Sequence, residues 1–132
     1  MPATNSKRSS DRIGTIMSTP RYFDADARAE MLCYLVVAEL VAMARTGDWL
    51  RTDHIVESSR IWMRANGVAC DWQDRIALAG AAARLAPDIS KKTNLTTERS
   101  LAPLFADGWM LDYQSPMVCE IHRVCAGFLA QK

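Results

Sequence analysis

The apolar pattern is densest between Met31 and Ala44, where the chain reads MLCYLVVAELVAMA and Glu39 is the only charged residue. Acidic residues precede this run, and an arginine and a glycine follow it, which is typical of the two ends of a helix. A helix that is apolar almost all round must be buried on nearly all sides or shared between subunits. The pattern therefore predicts a central core helix over about residues 24–45. It predicts no membrane span, because a bilayer requires roughly 20 apolar residues.

Amphipathic spacing predicts a second helix that begins at Asp48 or Thr52 and ends at the Asn66-Gly67 pair. Its apolar residues share one side, and the short connection to the first helix predicts that the two helices pack as antiparallel neighbours. A last helix opens at Pro116, directly after a capping serine, because proline is favoured at the first helical position.

A third helix is predicted between a cap at Asp71 and about Leu85, with Pro87 stopping it. Small residues dominate its centre, and such a helix lets a neighbour approach closely. Gly80 costs about 1 kcal/mol of helix propensity relative to alanine. We therefore expect close packing at Gly80.

The pattern breaks down over residues 87–114. A short helix capped by Thr96 or Thr97 is predicted to run through Phe105 and to end at Asp107-Gly108. The segment is too apolar for a free loop, so we expect it to pack on the bundle; its large apolar residues are Leu101, Leu104, Phe105, Trp109, Met110 and Leu111. No stretch alternates with period two. The predicted fold is all-α, a compact bundle of about five helices over residues 22–132.

Composition limits the alternatives. The chain has 132 residues, 49% of them hydrophobic, and a formal net charge of +1, which suits one folded domain without a general attraction to nucleic acid or acidic membranes. Residues 1–21 are rich in serine and threonine and mildly basic, so we expect a flexible tail. A targeting or secretion-type leader and a DNA-contacting arm are the alternatives for this tail.

The four cysteines, at 33, 70, 119 and 125, form no C-x-x-C pair, so neither a zinc knuckle nor a redox pair is indicated. In the absence of a secretory signal we expect reduced thiols in a cytoplasmic protein. No phosphate-binding glycine loop or nucleophile motif is present. We therefore expect no cofactor.

Glu39 is the first candidate functional residue, because a carboxylate in an apolar helix is costly when it is buried without a partner. On a helical wheel it lies only about 20° from Arg28, which predicts a narrow solvated stripe. The alternatives are an ion pair with an arginine of another helix and a functional carboxylate beside a pocket.

Cys119, His122 and Cys125 form a C-x-x-H-x-x-C run that resembles a metal site on paper. The two cysteines are about 120° apart around the helix and roughly 9 Å apart along it, whereas two ligands of one zinc lie within about 4 Å of each other. We therefore predict no metal site, and we predict that Cys119 is an exposed thiol.

His54 begins the second helix and is predicted to be a solvated surface residue. Ile61 lies opposite the main apolar side of that helix, so we expect it to add to a secondary contact surface. Both residues are candidate partner contacts.

These patterns predict a small non-enzymatic regulatory or adaptor protein that acts through protein contacts. Self-association as a homodimer is expected, because the first helix has more apolar surface than a few neighbours would cover. The alternative is a DNA-binding regulator with a helix-turn-helix-like segment over residues 52–85 and a basic tail. An enzyme or small-ligand protein with a pocket at Glu39 is least favoured.

Overall fold

The computed structural model describes residues 21–46 and 52–131. The predicted tail therefore lies outside the described residues except for Arg21, and so does Asp48, the earlier of the two predicted starts of the second helix. The elements within the described ranges are α1 (Ala25–Thr46), α2 (Thr52–Asn66), α3 (Trp72–Thr93), α4 (Glu98–Leu101), a 3₁₀ turn (Ala102–Leu104), β1 (Phe105–Asp107), β2 (Met110–Leu111) and α5 (Pro116–Ala130). The prediction of a mostly helical bundle is confirmed.

Helix α1 is the centre of the bundle. The Asp24 carboxylate accepts a hydrogen bond from the Ala27 N–H at 2.9 Å and so caps the first turn. Its apolar run packs against α2, α3 and α5, most extensively against α3. Leu32, Leu35 and Leu40 are at most 1% exposed within the single chain. From Met31 to Leu40 all residues except Ala38 are buried within the single chain, whereas residues 41–44 are only partly buried, so little of the expected apolar surplus remains along this run.

The end predicted for the third helix is wrong. Helix α3 passes through Pro87 and ends at Thr93, where Asn94 adopts a left-handed backbone with φ of 57°. An internal proline costs about 3 kcal/mol because it removes one hydrogen bond and crowds the preceding turn. Ala86 and Ile89 on either side of the proline are at most 4% exposed, so packing of the continued apolar face offsets that cost.

The expectation for Gly80 is also wrong. Gly80 is exposed, and a Cβ atom at this position would meet nothing within 4 Å. Close packing of α3 instead comes from other small residues, with Ala81, Ala82 and Ala86 at most 4% exposed.

The segment between α3 and α5 differs from its prediction. Thr97 caps the short helix α4 in a reciprocal arrangement with Ser100, but the helix ends at Leu101. β1 and β2 then pair as an antiparallel hairpin, and Gly108 in its turn has a positive φ of 59°. Two such short strands are too brief to show a period of two in the sequence.

The apolar residues of this segment divide between the interior and the surface. Leu101, Leu104 and Leu111 are buried as expected, whereas Trp109 is 57% exposed. The Asp112 N–H donates to the Leu104 carbonyl oxygen at 2.8 Å, which joins the end of the hairpin to the 3₁₀ turn.

Helices α2 and α5 confirm their predicted ends at Asn66 and Pro116. Val118, Ile121 and Cys125 form the fully buried part of the α5 apolar side. Within the described ranges, no helix combines the length and the apolar content that a bilayer span requires.

Candidate functional site

An open cleft of about 570 Å³ lies where the start of the described chain meets the end of α2. Its lining residues are Arg21, Tyr22, Phe23, Arg60, Met63, Arg64, Gly67, Val68 and Ala69. We call this concavity the arginine cleft. Helix α2 provides one side of it, and the segments before α1 and after α2 provide the rest.

Two backbone contacts shape the arginine cleft. Gly67 ends α2 with a positive φ of 63°, a conformation that glycine adopts without steric cost, and the Val68 N–H then donates to the Met63 carbonyl oxygen at 3.1 Å. The Arg21 N–H donates to the Gly67 carbonyl oxygen at 3.3 Å, and Arg21 and Val68 form a parallel β-bridge. The chain before α1 is thereby attached to the end of α2.

The charge of the arginine cleft is positive, because three arginines and no carboxylate line it. The Arg21 guanidinium forms an ion pair with Glu30 at 2.6 Å, and this hydrogen bond raises the pKa of Arg21. Arg60 and Arg64 are exposed, and no ion pair joins either of them to a carboxylate among the described residues. Within the described part of the chain, two cations of the cleft therefore have no ion-pair partner.

Apolar and aromatic groups accompany these charges. Tyr22 is 78% exposed, while Val68 is 5% exposed and belongs to the core. Phe23 packs partly on the core, and the Arg28 guanidinium lies 4.9 Å from its ring centre. The cleft thus offers an apolar floor beside its arginines.

Cys70 lies next to the arginine cleft. Its thiol contacts the Met63 sulfur at 3.8 Å, and burial raises the pKa of Cys70. A half-buried thiol that favours its neutral form is a weak nucleophile. Among the residues that line the cleft, the chemistry is that of binding: guanidinium groups for anions and apolar surface for side chains.

The solvated-stripe prediction for Glu39 is wrong, since its side chain is 1% exposed. The wheel that places Glu39 near Arg28 also places it within about 20° of Leu32, which is 0% exposed. Arg28 reaches the surface because it lies near the helix end and extends to Asp74 on α3, at 3.0 Å. Glu39 does not line the arginine cleft.

The C-x-x-H-x-x-C run is divided between different environments. Cys125 is 0% exposed in the core, whereas Cys119 is exposed as predicted, and its thiol donates to the Tyr113 carbonyl oxygen at 3.1 Å. His122 stacks edge-on with the Tyr113 ring at a centroid distance of 6.2 Å. Among the described residues, no three histidine, cysteine or acidic side chains are grouped closely enough to hold a metal ion.

His54 and Ile61 on α2 lie apart from the lining of the arginine cleft. His54 is exposed, as predicted. Ile61 is half-buried and packs against the core cluster, so it adds to the interior of the bundle. The structure does not bring Glu39, His54, Cys119 and His122 together around the cleft.

The sequence prediction missed the three cleft arginines. Arg60 and Arg64 were visible as a pair four residues apart on the polar side of a helix, but such pairs are usually solvated. The sequence analysis places Arg21 in the predicted tail, and only the backbone bridge to Val68 shows that it belongs to a site.

No family model, curated protein or solved structure was found to match this chain.

Proposed function

We propose that this protein is a small non-enzymatic binding protein, of the regulatory or adaptor kind, that docks an acidic segment of a partner protein in the arginine cleft. The observation that carries the proposal is that Arg60 and Arg64 lie beside an apolar floor. Neither arginine has a carboxylate partner among the described residues. Guanidinium groups bind carboxylates through two parallel hydrogen bonds, and the apolar floor provides contacts for neighbouring side chains.

A protein segment fits this cleft better than duplex DNA does. DNA affinity comes from many phosphate contacts spread along a backbone, whereas the three arginines here converge on one concavity. Five residues, Gly67 to Asp71, also separate α2 from α3, more than the usual turn of a helix-turn-helix motif. Asp74 near the start of α3 forms an ion pair with Arg28. DNA binding is therefore an outcome for the test below.

Selection from a library of random peptides displayed on phage tests the proposal. We expect the protein to enrich sequences that contain aspartate or glutamate beside apolar residues. The Arg60→Glu, Arg64→Glu double variant should enrich no acidic sequence, because both available cations become carboxylates.

The matched control is the Arg84→Glu, Arg99→Glu double variant. It makes the same change in net charge at two exposed arginines, one on α3 and one on α4, that do not line the cleft. This control should enrich the same peptides as the unchanged protein. Equal loss in both double variants would mean that net charge alone governs binding. Salt-sensitive binding of a short DNA duplex without acidic peptide enrichment would favour the DNA-binding alternative.

Self-association stays a prediction, on a different basis from the one the sequence suggested. Most of the apolar run of α1 is covered by its own chain, so we expect a dimer to use exposed apolar residues such as Trp72, Ile76 and Trp109, which are 40–57% exposed. Sedimentation velocity at high micromolar concentration measures the assembly state. A single monomeric species would remove the homodimer prediction without affecting the cleft.

A further inference from the structure

We infer that the arginine cleft selects an extended segment whose carboxylates stand on alternate residues, one facing Arg60 and the other facing Arg64. This inference rests on the proposed function, and it names the spacing that a partner must carry. It follows from three features of the cleft: the separation of the two arginines, the unused backbone groups opposite them, and the prior engagement of Arg21.

The separation of the arginines sets the spacing. Arg60 and Arg64 are four residues apart on α2, so they project from the same side of the helix about 6 Å apart along its axis. In an extended chain, alternate residues point to the same side and are separated by about 6.6 Å. Adjacent carboxylates point to opposite sides, so one of them would face away from α2.

The backbone opposite α2 favours an extended ligand. Tyr22 and Phe23 lie outside helices and strands, and within the described ranges neither N–H group donates a hydrogen bond to another backbone group. An extended peptide can pair with such groups as an added strand. The side chains between its carboxylates would then point to the opposite face of the added strand, away from α2.

Arg21 is the third cleft arginine, but Glu30 already neutralises it at 2.6 Å. A third ligand carboxylate would have to displace Glu30 from a hydrogen-bonded ion pair. We therefore expect two ligand carboxylates to increase the affinity. This number matches the two arginines that have no carboxylate partner in the described part of the chain.

Three isomeric hexapeptides test the spacing. They are Ser-Leu-Glu-Val-Glu-Ser with alternate glutamates, Ser-Leu-Glu-Glu-Val-Ser with adjacent glutamates, and Glu-Leu-Ser-Val-Glu-Ser with glutamates four residues apart. Each carries an amino-terminal rhodamine and a carboxyl-terminal amide, and binding is measured by fluorescence anisotropy. We expect the alternate isomer to bind about fivefold more tightly than the other two, the ratio typical of one exposed ion pair. Peptides of this length do not form stable helices.

Single variants identify the two carboxylate contacts. Arg60→Ala and Arg64→Ala should each remove the preference for the alternate isomer, whereas Arg84→Ala should keep it. Equal affinities for the three isomers, or no binding of any isomer by a protein that still enriches acidic phage peptides, would overturn the spacing and leave the proposed function standing. Tightest binding of the isomer with glutamates four residues apart would also overturn it. Failure of both the hexapeptides and the phage selection would overturn the proposed function as well.

Discussion

The apolar run of α1 and the arginine cleft are two regions built by opposite means. Along α1, local sequence pattern and final environment agree, and Leu32 and Leu35 are at most 1% exposed. At the cleft, residues from before α1, from α2 and from the segment after it meet through one backbone bridge. Each cleft residue looks ordinary in its own stretch of sequence. The difference shows that local sequence pattern predicts the environment of α1. The candidate site depends instead on contacts between segments that are distant in the sequence.

This contrast has an energetic side. The interior of α1 contributes stability through buried apolar area, at about 25 cal/mol for each Å² removed from water. Exposed charges such as Arg60 and Arg64 contribute little to folding. Changes along α1 should therefore alter stability, and changes in the cleft should alter binding, which gives four measurements that separate the two regions.

Thiol labelling should show the largest difference. Cys33 and Cys125 are 0% exposed, and contact with Cys125 together with burial raises the pKa of Cys33. The reactive thiolate is therefore disfavoured in the folded protein. We expect Cys33 and Cys125 to react with an aromatic disulfide about a thousandfold or more slowly than exposed Cys119, because labelling them requires unfolding.

Half-buried Cys70, beside the cleft, should label at an intermediate rate. Mass spectrometry of the digested protein over time measures all four sites. Labelling of Cys33 at the rate of Cys70 would show that the interior of α1 opens as readily as the cleft, and the contrast would fail.

Truncation in the interior should have the next largest effect. Leu35→Ala removes a side chain that is 1% exposed, and we expect a loss of about 2–5 kcal/mol in the free energy of unfolding from lost burial and the cavity left behind. Ile76→Ala on the exposed side of α3, where Ile76 is 40% exposed, should cost less than about 1 kcal/mol. Urea denaturation of both variants provides the comparison, and similar losses would contradict it.

Two glycines should respond with opposite sign to the same substitution. Gly67→Ala places a side chain at a φ of 63° and should cost about 1 kcal/mol, while weakening the support of the cleft. Gly80→Ala adds a Cβ that meets nothing within 4 Å in the middle of a helix, and should stabilise by up to about 1 kcal/mol. Thermal unfolding of the two variants side by side measures the signs. Stabilisation by both would mean that Gly67 places no conformational demand on the end of α2.

The smallest expected effect on stability belongs to the cleft arginines. Because they are exposed and have no carboxylate partner among the described residues, the Arg60→Ala, Arg64→Ala double variant should change the free energy of unfolding by less than about 0.5 kcal/mol. Chemical denaturation checks this. A loss of 2 kcal/mol or more, on the scale of a buried contact, would make the pair structural and remove the reason to treat it as a binding site.

Local signals explain which parts of the fold were predictable. Asp24 and Gly67 carry capping information within a few residues of the helix ends they mark, and both ends are confirmed. Pro87 gave a strong local stop signal that burial of Ala86 and Ile89 overrides. That outcome depends on packing against a neighbouring helix, about which the sequence of α3 alone carries no information.

The candidate site was not predictable for the same reason. Glu39 stood out because its own stretch is apolar, yet its burial depends on the elements packed over it. Arg21 belongs to the cleft only through a backbone contact with the segment after α2. Residue type identified Glu39, a charged residue in an apolar run, as unusual. It did not identify the cleft, where three arginines with ordinary sequence neighbours converge.

The bridge between Arg21 and Val68 has a consequence for folding order. It joins a segment before α1 to one after α2. The conformational entropy lost on closing this loop is therefore offset only after the two helices have docked. We therefore expect the arginine cleft to form late in folding and to open before the interior of α1 does. Amide hydrogen exchange at Arg21 would proceed by local opening, ahead of exchange along α1. A partner that pairs with this segment would then slow that opening, and its binding would be measured as slower amide hydrogen exchange at Arg21.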